Sequence, residues 1–292
     1  MTTAHSTGSQ AGSTALAVGA LLLAMATVQS GAAIAKTLFA AAGPEGVTAL
    51  RTGFAAIMLC ALQRPWRGPG LSSGRFGILV AYGASLGVMN LLFYWSLLRL
   101  PLGVAVTIEL VGPLTLSLLH SRRRADLFWL GLAAAGLACL APLGRISSGI
   151  DHKGALFALG AGACWALYIE FGHRAARVVP PGRASAIGMA VAAAVTLPFG
   201  FLKAGAALSV PSILISGLLV ALLSSAIPYS LEIKALRRLP PRTFGVLMSL
   251  EPAMAALAGV LFLGERLAAG HATAIVLVIV ASAGATLTTA RR

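Results

Sequence analysis

A chain of 292 residues that is 58% hydrophobic and only 10% charged, with a mean hydropathy of +0.89, lies far from an ordinary soluble domain, where about 25% of residues are charged. That composition excludes a soluble enzyme or binding module and predicts an integral membrane protein of transmembrane helices. The net charge of +14, from 22 basic and 8 acidic residues, would in a soluble chain point to nucleic acid. Here the basic residues fill short hydrophilic gaps between apolar runs, a topology signal that excludes a nucleic-acid partner.

The first dozen residues, MTTAHSTGSQAG, carry no Lys or Arg and so lack the basic n-region of a secretory signal. Residues 1–13 are expected to be a disordered cytoplasmic tail, and the apolar run after them a retained helix. A membrane helix needs about 20 mostly apolar residues, and ten stretches qualify. They are Leu16 to Ala35, Gly46 to Leu62, Phe76 to Leu98, Leu102 to Leu119, Leu127 to Leu143, Gly154 to Phe171, Ala184 to Leu202, Ser212 to Ile233, Thr243 to Leu263, and Gly270 to Thr288. Polar candidates to orient a ligand are Gln29 on the first span, Arg51 on the second and Tyr82 and Asn90 on the third. Trp165 and Tyr168 on the sixth and Tyr229 on the eighth add an aromatic wall, in the manner of small-molecule pockets. For each of these, helix packing or an interfacial belt competes with a binding role. Gly83 and Gly87 read as a close helix contact. Cys60, Cys139 and Cys164 all lie in apolar runs and read as small core residues.

Alternate gaps differ in charge. One set holds fifteen Lys and Arg, including Arg122, Arg123, Arg124, Arg237 and Arg238; the other holds Lys36, Arg99, Arg145, Lys153, Lys203 and Arg266; Arg51 falls inside a span. By the positive-inside rule the first set faces the cytoplasm, with both termini on that side.

A repeat lies beneath the apolar runs. LLRLP at Leu97–Pro101 recurs as LRRLP at Leu236–Pro240, and the same 139-residue offset pairs Ser85 with Ser224, Asn90 with Tyr229, and Pro113 with Pro252. Five spans per copy make the second copy enter from the opposite side, and matching gaps carry opposite charge bias, as inverted repeats require. Residues 14–143 and 154–289 are therefore expected as two inverted five-helix units around a central cavity, the arrangement of secondary transporters.

Two carboxylates approach the midplane of these spans. Glu251 lies about 12 Å from Thr243 and Glu109 about 10 Å from Leu102 at 1.5 Å per residue. Each belongs to a span broken by a paired proline, Pro252 or Pro113, which removes a backbone donor; Pro228 is a third break. An acid at mid-membrane costs about 2.5–3.5 kcal/mol, and protonating one of ordinary pKa at pH 7 costs about 3.7 kcal/mol. The similarity makes both glutamates candidates to exchange a proton or hold a substrate ammonium group, with a structural role, paired with a buried Arg or hydroxyl, as the alternative. For Arg51, about 7 Å from the outer end of its span, snorkelling to headgroups and binding of a substrate carboxylate stand level. No G-x-x-x-x-G-K-[ST] loop and no H-E-x-x-H occurs, so neither ATP hydrolysis nor a metal centre nor any other cofactor is indicated.

VQSGAAIAKTLF, MNLLFYWSLLRLPLGVAV, ELVGPL, LGAGACWALYI, LSSAIPYSLE and ALRRLPPRTFGVLMSLEPAMAALAGVLFLGE, in that order, resemble the EamA-type branch of the drug/metabolite transporter superfamily, and within it the bacterial threonine/homoserine exporters. The resemblance runs from about Leu16 to Thr288. It implies ten helices in two inverted halves, alternating access across the bacterial inner membrane, and export of small amino acids, with aromatic ones inside the range it leaves open. Protons are a candidate coupling partner; the oligomeric state is unassigned. Glu170 departs from the pattern. A transporter of another metabolite or drug-like cation is the first alternative, and a membrane-embedded lipid-processing enzyme a distant one.

Overall fold

The computed structural model describes residues 4–67, 69–119, 124–139, 151–228, 231, 239 and 247–289, and among them helix is the regular structure, with no strand. In chain order the helices are α1 (Ala4–Thr37), α2 (Phe39–Gln63), α3 (Ser73–Leu97), α4 (Leu102–Glu109), α5 (Val111–Leu119), α6 (Arg124–Ala138), α7 (His152–Val178), α8 (Pro181–Ala204), α9 (Pro211–Ala221), α10 (Glu251–Leu263) and α11 (Ala269–Thr289). Five helical stretches, Ala15–Thr37, Phe39–Gln63, Ser73–Leu97, His152–Val178 and Pro181–Ser209, are long and apolar enough to cross a bilayer. Five shorter apolar helical segments, Leu102–Leu116, Leu127–Ala138, Pro211–Ser225, Glu251–Leu263 and Ala269–Gly284, fall where the other spans are expected.

Local chemistry sets the ends. Pro181 and Pro211 open α8 and α9, where a missing N–H costs nothing. The Asp151 carboxylate caps α7 by accepting from the Gly154 N–H at 2.9 Å. That bond and the Arg99 guanidinium at 2.8 Å hold the Asp151 carboxyl below the usual carboxylate range. Gly264, at φ 64°, closes α10 in the left-handed conformation that a glycine reaches without strain.

Three departures from the expected elements have physical causes. The backbone of α1 is helical from Ala4, through most of the stretch expected as a tail, because a formed helix extends one residue at a time without a new nucleation step. α2 starts at Phe39 rather than Gly46, since Gly43, at φ 65° and ψ 163°, absorbs the bend before Pro44 and lets helix form on both sides. The eighth span leaves α-geometry for a π-helical segment at Leu222–Ala226, ahead of the buried Pro228; Tyr229 lies outside the described residues.

Packing is between small residues. α2 packs on α8 and α9, α3 on α7 and α8, α6 on α11, α4 on α7 and α10, and α1 on α10 and on α9 with its π-helical segment. The Gly83 and Gly87 face is a close contact: a Cβ on Gly83 would lie 2.6 Å from Val191 Cβ, and one on Gly87 3.0 Å from the Ala192 carbonyl oxygen. Along the α2–α8 seam the Thr52 and Thr196 hydroxyls meet at 2.6 Å, both side chains fully buried.

The gaps sort by face. Lys36, in the last turn of α1, donates to the Leu100 carbonyl at 2.9 Å and pairs with Glu265, after α10, at 2.6 Å. Arg99, after α3, pairs with Asp151, before α7, at 2.8 Å. These are gaps of the sparsely charged set. From the basic set, Arg183 donates to the Pro65 carbonyl at 2.9 Å.

Candidate functional site

The apolar spans converge on a polar centre. A cavity of about 110 Å³ is lined by Val28, Gln29 and Ala32 of α1, Arg51 of α2, Met89, Asn90 and Phe93 of α3, Val106 and Glu109 of α4, Trp165 of α7, and Glu251 of α10. One water needs about 10–15 Å³ measured this way, so the space has room for a small polar solute.

The proline breaks deliver both carboxylates. α4 stops at Glu109, Leu110 forms a turn, and α5 begins at Val111. Before the second carboxylate Ser249 and Leu250 form the turn, and α10 begins at Glu251 with Pro252 in its first turn. Glu109 is buried. Its backbone carbonyl faces α7, since a Cβ on Gly162 would run into that oxygen, and a Cβ on Gly112 into the carbonyl of Gly162. Freed carbonyls are tolerated in a membrane where they meet another helix in this way. Glu251 accepts from Gln29 Nε2 at 3.4 Å, and Gln29 Oε1, buried, has no hydrogen-bond partner among the described residues. Asn90 donates through Nδ2 to the Leu86 carbonyl at 2.8 Å.

Arg51 lies with the acids in the cavity wall. Its Nη1 donates to the hydroxyl of Tyr94 at 3.1 Å, and its guanidinium carbon lies 5.5 Å from the Tyr94 ring centroid. With every group ionised, the wall carries two negative charges and one positive.

Six of the expected residues, Gln29, Arg51, Asn90, Glu109, Trp165 and Glu251, thus come together. Tyr82 and Tyr168 are not in the lining. They stack on one another with centroids 4.9 Å apart and hydroxyls 3.2 Å apart, in a cluster with Leu79, Ala175, Val179 and Ala184 between α3, α7 and α8. The aromatic wall of the described cavity is therefore Trp165 with Phe93. Glu170 forms an i,i+4 pair with Arg174 at 2.8 Å and borders a second, largely apolar cavity of about 540 Å³ between α5 and α7. Sequence reasoning missed Tyr94, which follows Asn90 by one helical turn and so shares its face. It also missed Glu265, whose Oε2 accepts the Leu102 N–H at 2.8 Å. Its signal was an acid just past a helix-ending glycine, in a set of gaps otherwise short of charge.

Residues 152–287 match the EamA-like transporter family. The threonine/homoserine exporter RhtA of Salmonella typhimurium strain LT2 is 50% identical over 271 residues, 93% of this chain and 91% of that protein. RhtA of Escherichia coli K12 is 50% identical over 268 residues, 92% and 90% of the two chains. The uncharacterized transporter YwfM of Bacillus subtilis is 30% identical over 159 residues, 54% of this chain and 53% of its own. A protein of known crystal structure, 22% identical, superposes with a TM-score of 0.62 over 96% of this chain and 98% of that one, a likeness of fold. These relatives, where named for an activity, are exporters and not enzymes. With 50% identity to the RhtA exporters over 93% of its length, the chain belongs to the EamA-like transporter family.

Proposed function

We propose that the protein exports small amino acids of the threonine and homoserine type across the bacterial inner membrane by alternating access, with both termini cytoplasmic. The observation that carries this reading is the cavity itself, where Glu109 and Glu251 share a small wall with Arg51. A free amino acid presents an ammonium and a carboxylate, and the wall offers a partner for each. The glutamates bind the ammonium, with Gln29 and Asn90 as orienting groups, and either acid is a site for a competing proton.

The same reading takes residues 14–143 and 154–289 as inverted repeats. Packing supports it. In the 139-residue register the pairs α2–α8 and α6–α11 map onto themselves, α3–α7 onto α1–α9, α3–α8 onto α2–α9, and α5–α7 onto α1–α10, and each of these contacts is present. The helix breaks at Leu110 and Ser249 also differ by 139 residues. Inverted copies around a midplane site give two alternative openings by rocking one bundle against the other.

Counterflow tests the substrate. Purified protein in vesicles loaded with unlabelled threonine should accumulate labelled threonine, with homoserine competing and lipophilic cations not. Competition by lipophilic cations, without competition by amino acids, would replace this reading with export of a drug-like cation.

A further inference from the structure

We propose that Arg51, aimed by Tyr94, is the subsite for the substrate carboxylate, so that the transporter recognises a zwitterion at both poles and rejects amines that lack the acid. The proposal rests on the amino-acid reading above and assigns that reading's second pole.

A guanidinium carries five N–H donors. Among the described residues Arg51 commits one hydrogen bond, to the Tyr94 hydroxyl, and lies in no ion pair, although Glu109 and Glu251 line the same cavity. A cation this far into a membrane protein is costly unless paired. Snorkelling does not account for it, because the side chain ends in the cavity wall and on a tyrosine with no exposed surface. The geometry instead leaves donors beside a space that two carboxylates border from other helices. A solute carrying one anionic and one cationic group completes both sides; a simple amine completes one and leaves the guanidinium open.

Tyr94 is a positioning residue in this arrangement. Its ring is wedged between Phe39, at 5.4 Å and 52°, and Phe93, at 6.0 Å and 47°, so its hydroxyl is a fixed point. Arg51 held on that point loses less rotamer freedom when it meets a carboxylate, and planar guanidinium and carboxylate groups pair through two parallel hydrogen bonds.

The test uses full-length protein in vesicles, labelled threonine counterflow, and two competitors, threonine and threonine amide, which keeps the ammonium and side chain but lacks the acid. Wild type should be inhibited by threonine at a concentration at least tenfold below that for the amide. Arg51→Gln should bring the two within about twofold, by weakening threonine and not the amide. Tyr94→Phe, which keeps the ring, should raise the half-saturating threonine concentration about fivefold to tenfold, the loss expected for one hydrogen bond, while leaving the amide unchanged. A purified wild-type protein whose melting temperature rises equally with both compounds overturns the subsite, and does so without any variant. Equal inhibition by both compounds in wild-type vesicles overturns it as well while leaving amino-acid export standing. No threonine counterflow in wild type would overturn the export reading and the subsite with it.

Discussion

Lys36 and Glu265 meet at 2.6 Å where α1 and α10 end, and the same two side chains reach the turn between α3 and α4, Lys36 at the Leu100 carbonyl and Glu265 at the Leu102 N–H. Three chain segments are thereby tied at one face. The α10 side of the knot depends on Gly259, because a Cβ there would run into Glu265 Oε2. The tie clamps the far ends of α4 and α10, the helices that carry Glu109 and Glu251 at their cavity ends.

Cutting that tie should open the face it closes. A cysteine at Ala32, in the cavity wall, should react with a membrane-impermeant thiol reagent from outside several-fold faster in a Glu265→Gln background, and Lys36→Met should add little to it. The pair is mostly buried, at 22% and 12% side-chain exposure, so its coupling in a double-mutant cycle should fall between surface and buried pairs, about 2 kcal/mol. Additive effects of the two variants would mean that the contact does not hold the face shut.

The carboxylates separate substrate binding from proton exchange. Glu251→Gln keeps the size and the bond to Gln29 while removing the charge, so it should insert normally and transport at least tenfold more slowly. If Glu251 exchanges a proton, the residual counterflow loses its pH dependence; if it holds the ammonium alone, pH dependence persists and half-saturation rises. Glu109→Gln should give a comparable defect from the other half. Wild-type transport in well-folded Glu251→Gln protein would make the carboxylate structural.

Trp165 and Tyr168 share a helix but not a surface, which makes them a matched pair. Trp165→Ala enlarges the cavity and should shift the ranking of competing amino acids toward larger side chains. Tyr168→Phe removes a hydroxyl that meets Tyr82, outside the cavity, and should leave the ranking unchanged. A reordered competition panel for Tyr168→Phe would move the binding space toward the Tyr82 stack.

Gly162 and Gly160 lie a half-turn apart on α7 with different room. A methyl at Gly162 runs into the backbone of Glu109, whereas one at Gly160 would approach Leu92 Cδ1 at 3.2 Å, a side-chain tip that can move. Gly162→Ala should destabilise the protein by about 1–3 kcal/mol and lower transport, with Gly160→Ala much milder, as read by thermal unfolding in detergent and counterflow in vesicles. Equal melting temperatures would show that α7 and α4 have more slack than their contact implies.

Much of this was legible in the residues. Apolar runs and prolines marked the spans and breaks, and depth along the chain brought Glu109 and Glu251 toward one level. Rotation about each helix axis was not legible, because a span apolar on most faces does not reveal which face meets a neighbour. That is why Tyr82 and Tyr168 were grouped with the cavity residues when they stack on each other. It is also why Arg51 was balanced between headgroups and ligand: the bend at Gly43 and Pro44 changes how α2 approaches the cavity. Glu265 depended on a fold-back over Gly259 that no periodicity encodes.

The hydroxyl pair of Thr52 and Thr196 has a mechanical consequence. Two buried oxygens 2.6 Å apart mark the register of α2 against α8, and sliding by one residue would break that bond and leave each hydroxyl to its own helix, Thr52 on the Thr48 carbonyl at 2.9 Å and Thr196 on the Ala193 carbonyl at 3.3 Å. Shear between packed helices needs contacts that can be exchanged cheaply, and the bond between these two hydroxyls is lost, not exchanged, on sliding. Arg51, one residue before Thr52, sits beside that registered contact, and on the proposed reading the α2–α8 seam is the fulcrum for the helices bearing Glu109 and Glu251. On that reading a solute spanning the two would be gripped by parts that separate as the protein rocks, so each stroke would itself loosen the hold on its cargo.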